Sequence, residues 1–563
     1  MWLLTDPVVA LFLSLALGYL VGKIRLGPIE VGGICGTLFI ALAIGQVGVT
    51  VSPDLKNLSF ALFVYSLGFT AGPQFFANLR GGWRFGIFSL IEVGVALTVT
   101  LLFAAFFHFD VGTIAGIFAG SATESAVVGT ASEAIGRLGL SADQTTALQS
   151  NIATAYSLTY LFGLVGIVVF ATQVAPFLLG VNLRDEAEKL AIKLEANSSE
   201  GDSGSAIGKT SFPVFVERAF HVGSCAGQKV EDFEKATDFG VTVCGVKRGN
   251  EMIEARLDSA LQADDIVFIR GRRNEVIRIG ALLGAEQPLP PNAGFEVTSR
   301  NVVLTRKEAI GATLKQLGQI AGPELRRGVF VTAIHRMGYA IPSLPNTELQ
   351  EGDVLALHGP KDLVTRAVAE LGREIPPDHV TDFVFLGLGM IVGLFIGHLS
   401  TTVHGMELTL GTGGGALVSG LIFGWINMRR PHVGVYPQAA SNFAKDLGLA
   451  IFIAAVGLQA GPEAVNKLKQ YGLLMPIIGL IVSVLPALIS LLVGVKLMKL
   501  PIPIVLGAVA GQHCSTPTVT ALVERAGNTT PVIGYTVTYA LSNVILPLMG
   551  PVIVAIASAV SGG

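Results

Sequence analysis

Leu67-Gly68-Phe69-Thr70-Ala71-Gly72-Pro73 and Val456-Gly457-Leu458-Gln459-Ala460-Gly461-Pro462 are two copies of one pattern, with their central glycines 389 residues apart. Each lies inside a long apolar run. Working outward, Gly120-Ser121-Ala122-Thr123-Glu124-Ser125 is answered by Gly511-Gln512-His513-Cys514-Ser515-Thr516-Pro517, 391 residues on. Gly18 and Gly22 pair in the same way with Gly393 and Gly397, and Tyr156, Thr159 and Tyr160 with Tyr535, Thr538 and Tyr539. The order is preserved throughout, so the chain is an internal duplication.

Of 563 residues 51% are hydrophobic and 14% charged, with a mean hydropathy of +0.62, too apolar for a soluble protein of this size. Apolar stretches at 7–26, 29–50, 57–79, 83–108, 111–136 and 145–180, and again at 379–399, 406–427, 442–463, 472–497, 501–523 and 530–558, are each about long enough for a bilayer core of roughly 30 Å. The run after Met1 lacks a basic n-region and a small-residue cleavage site, so it reads as a retained first span. A net charge of −3, without concentrated positive charge, gives no reason to expect a nucleic-acid partner. Cys35, Cys225, Cys244 and Cys514 lack zinc-site or disulfide spacing and read as reduced small hydrophobes.

Positive charge sets the expected topology. Lys23, Arg25, Arg80 and Arg84 fall inside if the N-terminus is outside, as do Arg429, Arg430, Lys445, Lys496 and Lys499; Lys467 and Lys469 dissent. With 111–136 entering and leaving by one face, each half has five full crossings, an odd number that inverts the second half. The expected fold class is therefore a polytopic α-helical membrane protein: two inverted-topology repeats of about five spanning helices plus a re-entrant hairpin, with an inserted α/β cytoplasmic region of two small modules. The expected division is an N-terminal membrane repeat at 1–180, a linker at 181–210, modules at 211–286 and 295–373, and a C-terminal membrane repeat at 379–563. Both termini are expected outside, in a multi-pass inner-membrane protein.

The insert is itself duplicated. Gly240-Val-Thr-Val matches Gly328-Val-Phe-Val, and Asp264-Asp-Ile-Val-Phe-Ile-Arg-Gly matches Gly352-Asp-Val-Leu-Ala-Leu-His-Gly, both 88 residues apart. Each module reads as short alternating strands plus a helix. The strand ending in Asp-Asp-Ile or Gly-Asp-Val resembles the TrkA-C modules of potassium-transport regulators. That resemblance implies a sensor of a small-molecule or nucleotide regulator, or a dimer contact.

A carrier must replace the hydration of a charged cargo at mid-membrane, and broken helices with free backbone N–H groups do so cheaply. Gly68, Ala71, Gly72 and Pro73, with Gly457, Ala460, Gly461 and Pro462, are the expected helix breaks; a packing kink is the competing reading. The stronger candidates for substrate binding are Ser121, Thr123, Glu124 and Ser125, with Gln512, His513, Cys514, Ser515, Thr516 and Pro517. Such polar, flexible segments suit a hairpin tip lining a cavity; interhelical hydrogen bonding is the alternative. Ionisable groups at this depth are functional candidates by default: His513 for a carboxylate, Glu124 for an ammonium group or proton, and Glu92, alone in its span, more weakly. Tyr156 and Thr159, with Thr538, Ser542 and Asn543, are expected along the pathway or in helix packing.

Two halves with Ala-Gly-Pro and a Gly-rich polar hairpin, flanking two TrkA-C-like modules, resemble the aspartate:alanine exchanger family over nearly the whole chain. Cys514-Ser515-Thr516-Pro517 approximates that family's Thr-x-Thr-Pro hairpin, whereas Thr123-Glu124-Ser125-Ala126 lacks the proline and inserts an acid. The resemblance implies a homodimeric, elevator-like exchanger of small carboxylates or amino acids such as aspartate and alanine, and extends to succinate and other dicarboxylate exporters. It implies no cofactor or metal. A regulated ion channel is the rival class, but no Thr-Val-Gly-Tyr-Gly filter is present. No His-Glu-x-x-His or Gly-x-Ser-x-Gly signature points to an enzyme.

Overall fold

The computed structural model describes residues 6–26, 29–49, 51–81, 83–195, 215–223, 225–236, 241–253, 255, 258–289, 297–320, 328–375, 380–403, 406–430 and 433–561. The chain divides into two compact units: Met1–Ala187 with Asp378–Gly563, and Glu188–Pro377.

In chain order, the first half of the membrane unit carries α1 (Pro7–Gly22), the hairpin β1 (Arg25–Leu26) and β2 (Ile29–Glu30), α2 (Gly33–Gly45), α3 (Pro53–Gly81) and α4 (Trp83–Phe107). Then come α5 (Val111–Ser121), α6 (Ala126–Gly136) and α7 (Ala142–Leu179, with a π-turn at Phe170–Val174). α8 (Leu183–Glu195) occupies the start of the expected linker; residues 196–210 of that linker lie outside the described residues.

The insert follows with β3 (Phe215–His221), α9 (Val230–Ala236), β4 (Val241–Arg248), β5 (Glu251–Ile253), β6 (Ile266–Arg272), α10 (Arg273–Leu283) and β7 (Glu286–Gln287). Its second module has β8 (Val297–Leu304), α11 (Leu314–Ile320), β9 (Phe330–Arg336), β10 (Tyr339–Ile341), β11 (Val354–Pro360), α12 (Lys361–Leu371) and β12 (Gly372–Glu374). The second membrane half comprises α13 (Phe383–Gly397), the hairpin β13 (Ser400–Val403) and β14 (Met406–Thr409), α14 (Gly411–Arg429), α15 (Gln438–Tyr471), α16 (Leu474–Leu492), α17 (Ile502–Gln512), α18 (Thr516–Ala526) and α19 (Thr530–Ser561).

The duplication is visible element by element. Asp6 caps α1 by accepting from Val8 and Val9 N–H at 2.9 and 3.0 Å, and Asp382 caps α13 through Val384 and Phe385 at 2.9 and 3.0 Å. A short β-hairpin follows α1 and another follows α13. Among the described residues six helices are long and apolar enough to cross a membrane, three per half: α3, α4 and α7, then α15, α16 and α19. Their outward faces carry apolar side chains, with Leu102, Phe106, Phe177, Phe443 and Ile477 all exposed, as lipid contact requires.

α5 and α6, like α17 and α18, are only 11 residues each, about 16 Å of rise and roughly half a bilayer, so each pair makes a helical hairpin whose tip lies at depth. Two helix groups result. α1–α3 pack with α13–α15, and α4–α7 pack with α16–α19. Across the duplication, α3 lies along α14 as α15 lies along α2.

The Ala-Gly-Pro segments do not break their helices: α3 continues through Pro73 and α15 through Pro462. The reason is packing. A Cβ on Gly68 or Gly72 would strike the backbone of Leu417 or Leu421 in α14, and one on Gly457 or Gly461 would strike α2 at Ala41 or Gly45. The small residues at 68, 71, 72, 457, 460 and 461 therefore let two helix pairs approach closely, the usual membrane device.

In the insert, each module is a five-stranded antiparallel sheet, ordered β5-β4-β6-β3-β7 and β10-β9-β11-β8-β12. β11 alternates buried and half-buried residues as a one-sided strand should. Both modules carry the same Arg–Asp ion pair on a buried carboxylate. Arg248 donates to both carboxylate oxygens of Asp265 at 2.9 and 2.8 Å, and Arg336 does so to Asp353 at 2.7 and 2.7 Å, 88 residues on. The Gln262 and Gln350 amides add a third bond, each at 2.8 Å. Burial raises the Asp265 carboxyl, but the Arg248 and Gln262 bonds outweigh it and hold the group below its ordinary range.

Arg336 is 2% exposed and Asp353 0%, whereas Arg248 is 37% exposed. Arg336→Met, which strands a buried carboxylate, should cost the second module about 3–5 kcal/mol. Arg248→Met should cost less, because water replaces part of its bonding. Hydrogen exchange along β11 and β6 in the intact protein checks the difference.

His358 accepts or donates one 2.9 Å bond with Ser299 Oγ. Burial, and then the Arg270 guanidinium of the other module, lowers its pKa, with Glu217 opposing. A depressed histidine stabilises above its unfolded pKa of about 6.5, and the increment is lost as pH falls through the folded value. Acidification from about pH 7.5 to 5.5 should therefore weaken the insert. His358→Asn should flatten that dependence in thermal unfolding.

Candidate functional site at the two hairpin tips

Both tips are built on one backbone plan. At the end of α5, Thr123 takes a left-handed conformation (φ 54°), and Cys514 does the same after α17 (φ 49°). Glu124 N–H donates to Ala119 O at 3.0 Å, and Ser515 N–H to Ala510 O at 3.1 Å, which closes each helix and turns the chain. Glycines let α7 and α19 lie directly against the hairpins: a Cβ on Gly120 would collide with Thr159, and one on Gly511 with Thr538.

The tips meet. The Thr123 hydroxyl donates to the His513 carbonyl, and the Cys514 thiol bonds the Glu124 carboxylate. Glu124 also accepts from Ala126 N–H at 3.0 Å, and Glu92 and Lys445 both lie within electrostatic reach of it. His513 Nδ1 is 2.8 Å from Glu92 Oε1, with both side chains at most 1% exposed. Their alignment is poor for a hydrogen bond. Both Glu92 oxygens, both His513 ring nitrogens, both amide atoms of Gln512 and the Ser121 hydroxyl remain buried without an aligned partner.

A desolvated group of this kind costs free energy until something bonds it. Gln512 and Ser121, beside the closely paired Glu92 and His513, therefore offer bonding capacity to a polar occupant at this junction. Ser125 Oγ is taken by Tyr156 Oη at 2.6 Å, and Thr516 Oγ1 by Tyr535 Oη at 3.2 Å, so these tyrosines buttress the tips. Ser515 caps α18, its Oγ accepting from Thr518 N–H at 3.4 Å, and Pro517 sits in that first turn.

The expected pathway residues divide differently. Thr159 and Thr538 are fully buried and donate to backbone carbonyls: Thr159 to Ala155 O of its own helix at 2.8 Å and to Gly116 O of α5 at 3.5 Å, and Thr538 to Ala508 O of α17 at 2.9 Å, so each is spent on helix packing beside a hairpin. Ser542 Oγ bonds Ser89 Oγ of α4 at 2.8 Å, one helical turn from Glu92, and Asn543 bonds Tyr539 O in its own helix at 2.8 Å. A small cleft between α5, α7 and α16, bordered by Thr113, Asn151, Thr154 and Tyr471, lies apart from the tips and has room for about one water.

With this geometry in hand, the comparisons with known proteins are decisive. The family model described as Predicted Permease Membrane Region matches residues 10–176 and 385–555, the two membrane halves. The chain belongs to this permease family. The model for the TrkA-C domain matches residues 215–284, the first module of the insert. An uncharacterized transporter of Zymomonas mobilis is 36% identical over 554 residues, covering 98% of this chain and 97% of the relative. An uncharacterized transporter of Francisella tularensis is 36% identical over 560 residues (98% and 97%), and one of Bradyrhizobium diazoefficiens 34% over 567 (98% and 98%). The permease is thus a multi-pass membrane transporter with a TrkA-C-bearing insert.

Glu92 gains most from the geometry. A lone acid in an apolar span was a sign, but only folding puts it against His513. Lys445, read from sequence as a topology marker, belongs to the same electrostatic neighbourhood.

Proposed function

We propose that this permease is a secondary active antiporter exchanging small amino acids, of the size of alanine and aspartate, by alternating access across the inner membrane. The junction of the hairpin tips carries the reading, because buried acidic, imidazole and amide side chains converge there away from lipid. Two acids, Glu92 and Glu124, stand beside one imidazole, and the Lys445 ammonium acts on Glu124 more weakly than Glu92 does. An ammonium group beside Glu124 and a carboxylate near His513 and the tip amides balance that set better than a second carboxylate would. A zwitterion is therefore favoured over succinate.

The movement would be elevator-like, with the hairpin-bearing group α4–α7 and α16–α19 displaced against α1–α3 and α13–α15. A homodimer, external termini and ligand control by the cytoplasmic modules belong to the same proposal. Counterflow in proteoliposomes tests it: vesicles loaded with alanine, aspartate or succinate are offered each labelled compound. Alanine and aspartate should exchange. Exchange of succinate alone would replace the amino-acid reading by a dicarboxylate one, and no exchange with any of the three would reject both.

A further inference from the structure

Many contacts recur between the two halves, but among the described residues the one made by Glu133 has no counterpart. Glu133, near the end of α6, reaches the start of α14. Its Oε1 accepts from Thr412 N–H at 3.1 Å and from the Thr412 hydroxyl, and its Oε2 accepts from Gly413 N–H at 3.1 Å. Arg137 donates beside it to Thr409 Oγ1. A carboxylate at a helix N-terminus satisfies otherwise unpaired N–H groups and meets the positive end of the helix dipole.

The duplication names the counterparts. Glu524 of α18 lies 391 residues after Glu133, at the spacing that relates Thr123 to Cys514. Gly32 and Gly411, 379 residues apart, are both left-handed (φ 89° and 70°) at the starts of their helices. Gly36 and Gly415, at the same spacing, press on Gly18 and Gly393. Gly33 and Ile34 are therefore the equivalents of Thr412 and Gly413. Yet Glu524 is exposed and has no hydrogen bond or ion pair among the described residues, and α2 begins with no side-chain cap and no acid in its first turn. The chain holds both latches and both keepers, with one pair closed.

We propose that Glu133 and Glu524 are alternating latches. In the state described, Glu133 holds the first hairpin to α14; in the opposite state it lets go, and Glu524 caps α2 at Gly33 and Ile34. Inverted repeats exchange conformations between the two end states, so the bond broken in one half is remade in the other. These are positioning residues: neither is among the groups that converge at the hairpin tips. The inference rests on the transporter fold and on no choice of substrate.

Its test therefore uses none. Glu524→Cys with Ile34→Cys, in a Cys35→Ser background, is oxidised in the purified full chain and the linked peptide is read by mass spectrometry. The 524–34 link should form. It should form about fivefold faster when Glu133→Gln is added, the worth of about one lost capping contact. Glu133→Asp, which keeps the charge, should stay closer to the unmodified rate. No link, or a link whose rate ignores Glu133→Gln, would overturn the proposal. Failure of amino-acid counterflow with the link intact would remove only the substrate reading.

Discussion

Glu92→Gln should slow amino-acid exchange by at least about 100-fold, equivalent to about 2.7 kcal/mol, while the protein stays folded. The substitution preserves volume and exchanges an acid for a neutral amide, at a side chain that is 0% exposed and 2.8 Å from His513. His513 would be left in an enclosed site without its acidic neighbour. The two side chains act as a unit, so Glu92→Gln with His513→Gln should be little worse than either alone. Counterflow rates for the three variants, with elution profiles showing a folded protein, check this. Additive losses would mean that the pair is not coupled.

Glu124→Gln carries the second large effect, and its sign separates substrate classes. If Glu124 receives the ammonium group of a zwitterion, removing its charge should reduce alanine exchange by about 100-fold, as expected when one partner of a buried charge pair is lost. It should also improve acceptance of succinate relative to alanine, because a like charge is gone. A dicarboxylate carrier would differ in having no alanine exchange to lose, its succinate exchange rising or staying unchanged. Parallel counterflow with both compounds reads the ratio directly.

The duplication was legible because its marks are chemical. Gly, Pro and short polar residues inside apolar runs have few other reasons to be there, and their constant spacing fixed which elements correspond. The hairpins followed, since α5 with α6 and α17 with α18 are polar where they turn. The 88-residue repeat of the insert was legible for the same reason, and it extends to an Arg–Asp pair that no local pattern reveals.

Glycine and proline were less legible in function. They mark both unwound helices and close crossings, and at Gly72 and Gly461 only the neighbouring backbone of α14 and α2 decides for packing. Thr159 and Thr538 share a recurring face that suits path-lining hydroxyls, but their bonds end on backbone carbonyls of their own helix or of the hairpin helix packed against it. Long-range partners were beyond reach in principle. Nothing in the run around Glu92 specifies His513, and nothing around Glu133 specifies Thr412.

The central claim is that substrate binds where the hairpin tips meet, and Cys514 reports on that place. It sits at the turn of the second tip with its thiol on Glu124 and is partly accessible, while Cys35 and Cys225 are buried elsewhere. Modification by a small thiol reagent should be followed by mass spectrometry in the intact protein, with and without saturating alanine or aspartate. The account predicts that whichever compound exchanges slows Cys514 modification about tenfold at ten times its Kd, leaving Cys244 unaffected. An exchanged substrate that leaves the Cys514 rate unchanged would contradict it.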